Sequence, residues 1–525
     1  MFSRHHLLLS AVALCLACSS SSTNEPAPVG PTDVTTDKGP IKGSAEEASR
    51  TFLGIPYAAP PVGPLRFMPP KPAAAWTTTR DATKFGAICT QFANGAVNPS
   101  SSEDCLYLNV YTPLAAVKGA PVFVWIHGGG FLTGAGSEDT YVGSALAAKT
   151  GAIIVTLNYR MGPFGFLSHP ALAKAQGVSL SPSQGLLDQQ AALGWVQRNI
   201  AAFGGDPANV TVAGESAGGV SVCSQLAMPG SKGLFARAVI ESGLCSSSHY
   251  LFIEKPAAEA QGQRLATALG CPNDDTAVTC MQGKTQAEVA TALPLRKALF
   301  GPVGETYSPV IDGVVLPKTP LAAVRAGESA KVPVIVGSNL NEGQLFGALW
   351  GNPPPTASEL RDILALIFDP TKVDAIATRY AVDVDSSKAF TDAIGDLMTC
   401  MARETARATS DAGMPTYLYQ FVYPYSVAAF PGLVTTHAYE LPFVFRNGFA
   451  GAKLNDDDLL VSDALVGYWF SLAKSGDPNA TRLAGSLAWP AYVTAKDEHL
   501  VLDRTQSVGK GLKSETCDFW DGILK

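Results

Sequence analysis

Hydrophobic positions in this chain come in short unbroken runs. "VFVWI" (122–126), "AIIVTLNY" (152–159), "VTVAG" (210–214), "AVIES" (238–242), "VPVIVG" (332–337) and "TYLYQFVY" (416–423) are dominated by apolar, β-branched and aromatic residues. Runs of this kind mark strands buried on both faces, where neither side can afford a polar residue. Between them lie segments with apolar residues every three or four positions, clearest in "LLDQQAALGWVQRNIAAF" (186–203) and "SDALVGYWFSLAKSG" (462–476). That spacing predicts helices. Strands alternating with helices predict an α/β fold, with a mostly parallel central sheet covered by helices on both faces. Reactive side chains in such folds gather on loops at the carboxyl ends of the strands. Ser216, His127, Glu342 and His437 each fall just past, or downstream of, a predicted strand.

The amino-terminal residues break this pattern. "MFSRHHLLLSAVALCLACSSSS" has a basic head at Arg4, an apolar run from Leu7 to Ala17, and small residues ending at Cys18. The run is far shorter than the roughly 20 residues a spanning helix needs, so residues 1–17 read as an export signal. "LCLAC" resembles a bacterial lipobox, in which Cys18 is acylated and becomes the mature N-terminus. Cys15 and Leu16 depart from the ideal motif, and ordinary cleavage is the alternative. A Ser/Thr/Pro-rich tether follows over 18–37, leaving 38–525 as the folded domain. The expected location is the bacterial cell envelope, lipid-anchored at Cys18, or otherwise the periplasm or outside the cell. Ten cysteines less Cys15 and Cys18 leave eight, an even number that argues for disulfides in an exported protein.

Composition narrows the partners. Charged residues are 16% of the chain and net charge is −7, with no lysine- or arginine-rich block. Nucleic acid is therefore excluded as an expected partner, and the membrane enters only through the lipid anchor. Outside the Cys15–Cys18 pair of the export signal no CxxC spacing occurs, and no HExxH, so neither metal nor cofactor is expected.

The chemistry centres on "TVAGESAGGVSV" (211–222). A G-x-S-x-G set between a strand and a helix lifts its serine out of a strained turn, and Gly214 and Gly218 leave room for that turn. The motif alone does not separate a nucleophile from a glycine-rich turn; the rest of the chain must. A serine nucleophile needs a base, and the base a carboxylate to orient it. There are seven histidines. His5 and His6 lie in the export signal, and His127 belongs to "WIHGGGF". The chain order serine, acid, histidine of α/β-hydrolases excludes His169. His249 follows the serine too closely to leave room for an acid-bearing strand. His499, in "KDEHLVLD", reads as a solvated histidine in a charged lead-in to a strand. His437, in "LVTTHAYELPFVF", remains as the base. Glu342, in the glycine-bounded loop of "VPVIVGSNLNEGQLF", is the acid. Asp312 competes, although Asp-Gly between apolar runs is more often a turn. "HGGGF" (127–131) offers consecutive backbone N–H groups for a developing oxyanion. Gly129 and Gly130 would act there with the N–H of Ala217. A phosphate cradle would need a following GK[ST], which is absent.

Taken together these segments resemble the type-B carboxylesterases, the family of cholinesterases and bacterial para-nitrobenzyl esterases. The resemblance runs through "FLGIPYAAPPVGPLRF" (52–67), "EDCLYLNVY" (103–111), "WIHGGGF", "NYRMGPFGFL" (158–167) and "GLLDQQAALGWVQRNIAAFGGDPANVTVAGESAGG" (185–219). It continues through "GSNLNEG" (337–343), "HAYELPFVF" (437–445) and "SGDPN" (475–479). It implies an α/β-hydrolase fold and a serine esterase acting through an acyl-enzyme on small-molecule esters. Ser216 would be the nucleophile, Glu342 the acid and His437 the base, with Gly129, Gly130 and Ala217 as the oxyanion hole. It also implies disulfides Cys89–Cys105, Cys271–Cys280 and Cys400–Cys517, which leaves Cys223 and Cys245 to each other. Two departures concern pocket shape: Ala438 replaces a frequent glycine, and Pro182-Ser183 replaces Gly-Asn. A third concerns substrate: Val97 precedes Asn98-Pro99, where cholinesterases carry the tryptophan that holds a quaternary ammonium. The alternatives are a catalytically silent adhesion module of the same fold, and an amidase or peptidase using the same triad. A free histidine titrates near 6.5, so activity is expected to fall below roughly pH 6.

Overall fold

A computed structural model of the chain describes residues 28–93, 96–175, 183–245, 251–428, 430–449, 451–481 and 486–524. Eleven strands make the main sheet: β1 (Ser44–Ala45), β2 (Ser49–Pro56), β3 (Tyr107–Pro113), β4 (Ala120–Ile126), β5 (Ile153–Leu157), β6 (Gly205–Glu215), β7 (Arg237–Glu241), β8 (Val334–Asn339), β9 (Thr416–Phe421), β10 (Glu498–Leu502) and β11 (Ser507–Lys510). They lie in the order β11-β10-β9-β8-β7-β6-β4-β5-β3-β2-β1. Every pairing from β5 through to β10 is parallel. Antiparallel pairings are confined to the two flanks.

The unbroken apolar runs have a direct cause. Along the central strands successive side chains enter two different cores. Val124, Val155, Val212, Ile240 and Val336 pack on one face, and Phe123, Trp125, Ala213, Val239 and Ile335 on the other. Each such aliphatic side chain contributes about 1.5–3 kcal/mol on burial. Helices Gln184–Asn199, Ala217–Ala227 and Ser386–Asp411 cover the first face through Trp195, Val220 and Met401. Helix Asp456–Ser475 covers the second through Leu465 and Trp469. That helix starts six residues before the predicted segment, because Asn455 caps it by accepting from the Asp458 N–H.

The fold begins earlier than the expected boundary at residue 38. Asp33–Thr36 is a strand paired antiparallel with Gly39–Lys42, with Val34 and Thr36 alternating inward to burial. The Asp37 N–H donates to Asn199 Oδ1 at 2.7 Å, which anchors this hairpin to a covering helix. The last part of the tether segment is therefore folded. Residues 1–17, read from sequence as an export signal, lie outside the described residues, as do Cys18, Pro182 and His249. Among the described residues no helix is long and apolar enough to cross a membrane. Disulfides join Cys89 to Cys105, Cys223 to Cys245, Cys271 to Cys280 and Cys400 to Cys517. The last of these ties helix Ser386–Asp411 to the carboxyl-terminal helix Ser514–Leu524.

Candidate active site

Ser216 sits at the junction of β6 and helix Ala217–Ala227 with φ 56° and ψ −122°. A positive φ in a residue with a Cβ costs on the order of 1–3 kcal/mol, so the surroundings must hold it. They do so through the backbone: Ser216 N–H donates to Glu241 O, and Val220 N–H donates to Ser216 O, each at 2.9 Å. The glycines of the motif are set by close packing. A Cβ on Gly218 would lie 2.0 Å from the Ile126 carbonyl oxygen, and one on Gly214 would lie 2.6 Å from the Gly218 carbonyl carbon. No other residue lets this helix start so near β4.

Glu342 follows β8 and is wholly buried. One carboxylate oxygen lies 2.6 Å from His437 Nδ1. The other accepts from Ser242 Oγ at 2.5 Å and from the Asn339 N–H at 2.6 Å. With its oxygens so engaged, the carboxylate is fixed as an acceptor for an Nδ1–H, leaving Nε2 as the basic nitrogen. Nε2 lies 3.1 Å from Glu215 Oε1, out of line for a hydrogen bond.

The two carboxylates dominate the titration of this histidine. Burial pulls the His437 imidazolium down, but Glu215 and Glu342 together outweigh it and raise the pKa to about 9. Both carboxylates thus favour the protonated ring. Behind His437 the carboxyl groups crowd each other. Burial holds the Glu215, Glu241 and Glu440 carboxyls above the usual range, and mutual repulsion adds to it. Trp469 Nε1–H donates to Glu241 at 2.7 Å, and Asn339 Nδ2 donates to Glu440.

The loop after β4 carries the glycines. Gly129 has φ 102°, and its carbonyl accepts from the N–H groups of Leu132 and Thr133. Among the described residues the N–H groups of Gly129 and Gly130 donate to no backbone carbonyl. Neighbouring side chains brace the loop: Gln91 bonds both backbone groups of Gly134, and Tyr159 O–H donates to the His127 carbonyl at 2.9 Å. His127 Nδ1 lies 2.8 Å from the Gly128 carbonyl, so that nitrogen carries the proton. Burial lowers the His127 pKa to about 4.

Ser216 is shared by two pockets. One, about 580 Å³ counting its mouth to solvent, is lined by Gly130 and Ala217 and by apolar side chains including Leu244, Leu251, Phe300, Phe346 and Met398. The other, open to solvent and about 1270 Å³, is lined by Gly129, Gly130, Glu215 and His437, with Arg296, Leu349 and Phe449 farther along. Five of the six residues singled out from sequence thus line the pockets, and Glu342 stands behind His437. The rejected candidates are elsewhere. Asp312 Oδ1 accepts from the N–H groups of Val314, Val315 and Leu316, the expected turn. His169 Nδ1 accepts from Ala171 N–H. His499 is buried in β10, correcting the solvated reading. Gly509 lies opposite it in β11, and a Cβ there would come within 2.4 Å of its ring.

A family model described as the carboxylesterase family matches residues 30–520. The chain belongs to the carboxylesterase family. This esterase is 35% identical to the para-nitrobenzyl esterase of Bacillus subtilis, over 92% of this chain and 97% of that one. It is 36% identical to a medium-chain fatty acyl-CoA hydrolase precursor of Anas platyrhynchos, over 98% of this chain and 95% of the other. A solved PNB esterase structure superposes with TM-score 0.81 at 35% identity, covering 94% of this chain and all of the other. The fold is therefore the α/β-hydrolase fold, and the esterase is a carboxylic-ester hydrolase. Against that family, Ala438 has a stated cost: its φ is 69°, a left-handed conformation suited to the glycine it replaces. Val97 and Phe92 of the same disulfide loop pack against one side cluster, and of the two only Phe92 lines the pocket.

Sequence reasoning missed Glu215 as a neighbour of His437, Ser242 as a donor to Glu342, and Arg296 in the pocket. Glu215 gave one signal, a charge ending an otherwise apolar strand. Ser242 gave a weaker one, a polar residue just past the end of the next strand, whose Glu241 is level with Glu215.

Proposed function

We propose that Ser216 attacks the ester carbonyl while His437, held by Glu342, takes its proton. The Gly129, Gly130 and Ala217 N–H groups receive the oxyanion. His437 then gives the proton to the leaving alcohol, and water repeats the cycle on the acyl-enzyme. The observation that carries this reading is the placement of one strained serine between two pockets, only one of which contains His437. The departing alcohol must meet that imidazole, so the solvent-open pocket takes the alcohol and the enclosed apolar pocket takes the acyl chain. The enclosed pocket suits a flexible aliphatic acyl group better than a charged one. The test is hydrolysis of nitrophenyl esters from acetate to dodecanoate, with mass spectrometry of the trapped acyl-enzyme. An acyl group on the Ser216 peptide and a preference for intermediate chain lengths are expected. Turnover with no label on Ser216 would remove the assignment.

We further infer export and anchoring through an acylated Cys18, supported by the apolar run before it and by four disulfides, which form in oxidising compartments. Full-length protein should fractionate with membranes, and Cys18→Ser should release it with loss of the lipid mass. An unchanged mass and distribution would leave simple secretion.

A further inference from the structure

The solvent-open pocket contains an arginine that, among the described residues, joins no ion pair. Arg296 lines it together with Leu295, Ala298 and Leu299. Its NH1 donates to the Gly301 carbonyl at 2.8 Å, while its Nε is buried with no hydrogen-bond partner. Among the described residues it joins no ion pair, unlike Arg264 and Arg361, which reach carboxylates at 2.8 and 2.9 Å. It is the only lysine or arginine among the described residues lining that pocket. Lys297 adds charge beside it, held 5.0 Å above the Trp350 ring. The turn that presents Arg296 is rigidly specified. Ala298 and Leu299 both have positive φ, at 50° and 67°, and Gly301 N–H donates to Lys297 O at 2.7 Å. Leu299 lies over the oxyanion loop, since a Cβ on Gly130 would come within 2.7 Å of it. The guanidinium is thus fixed within one turn of a residue that touches the reacting centre.

A half-buried guanidinium with unused donors and no carboxylate costs free energy that an anionic ligand recovers. The same pocket is also lined by two acids. Glu215 adjoins Ser216 in sequence, and Glu138 accepts from the Ala135 N–H. An anion in the leaving group is repelled there and attracted at Arg296. We infer that Arg296 reads charge on the leaving alcohol, so that this esterase prefers esters whose alcohol portion carries a carboxylate or another anion. This rests on the assignment of the solvent-open pocket to the alcohol.

The probe is a pair of butyrate esters, of 4-hydroxybenzoate and of its near-isostere 4-hydroxybenzamide, compared by kcat/KM in wild type and variants. Taking each anion-to-amide ratio relative to Arg296→Gln cancels the intrinsic reactivities of the two esters. The wild-type ratio should exceed that of Arg296→Gln by roughly three- to tenfold, and should shrink as salt is raised. Arg296→Lys should retain part of the preference. If Arg296 serves only to hold the Gly301 turn, both esters lose equally in Arg296→Gln and Arg296→Lys, and the inference fails. A choline ester against its 3,3-dimethylbutyl isostere gives the converse measurement. No preference for the cation is expected, and one of about tenfold or more would also overturn the inference. Absence of turnover on all four esters would instead defeat the esterase mechanism itself.

Discussion

Two histidines in this molecule are equally buried and behave in opposite ways. His127, at the end of β4, faces the Gly128 carbonyl and stacks on Tyr159 at 4.4 Å, and burial lowers it to about 4. His437, beyond β9, is flanked by Glu342 at 2.6 Å and Glu215 at 3.1 Å and rises to about 9. Burial acts downward on both. The difference is whether fixed carboxylates surround the ring, and only the ring that has them can hold a proton in transit. The neutral ring is suited instead to bracing a loop.

The contrast can be broken most severely at the reacting centre. His437→Gln or Ser216→Ala should lower kcat on the order of a millionfold, with circular dichroism and thermal unfolding close to wild type. A loss under tenfold in either would dissolve the distinction between the two rings. His127→Phe keeps the stack on Tyr159 and deletes the bond to Gly128. We expect a fall in kcat of roughly ten- to a hundredfold, because the oxyanion loop loosens, with the acid limb of the pH profile unmoved. A moved limb would mean that His127 titrates in the cycle.

A fourth variant tests the effect of charge itself. The base must be neutral, so kcat/KM is lost as pH falls through the His437 pKa, which both carboxylates raise. Wild type should therefore lose activity with a midpoint above 6.5, and Glu215→Gln, which removes one stabilising charge, should shift that midpoint down by roughly one unit. An unshifted midpoint would leave Glu342 as the sole determinant. The smallest effect lies next door. Ala438→Gly relieves a left-handed alanine and should add about 1 kcal/mol of stability by urea denaturation, with little change in kcat.

Much of this was legible in the chain because its signals are local. Runs such as "VFVWI" announce doubly buried strands, and the serine, acid and histidine each end or follow one. Other features depend on what is brought opposite. Helix Ser386–Asp411 shows an apolar stripe through Phe390, Ile394, Leu397, Met398 and Met401, yet burial also takes in the polar Thr399, Arg403, Thr405 and Thr409 because the fold encloses it. His499 looks solvated in "KDEHLVLD" until Gly509 is placed across from it. Glu215, Ser242 and Arg296 gain meaning from neighbours tens to hundreds of residues away, and no spacing rule encodes those contacts.

The strand order has one more consequence. Read from the β1 edge, the sheet follows the order of synthesis apart from the exchange of β4 and β5. A chain emerging amino end first can therefore widen its sheet one strand at a time, each newcomer docking on the border left by its predecessor except β5, which enters between β3 and β4. The turn bearing Ser216 is laid down near the middle of this progression, Glu342 arrives with β8, and His437 only after β9. On the proposed triad, a chain folding in this direction would hold its serine well before its base, so hydrolysis would await the far side of the sheet.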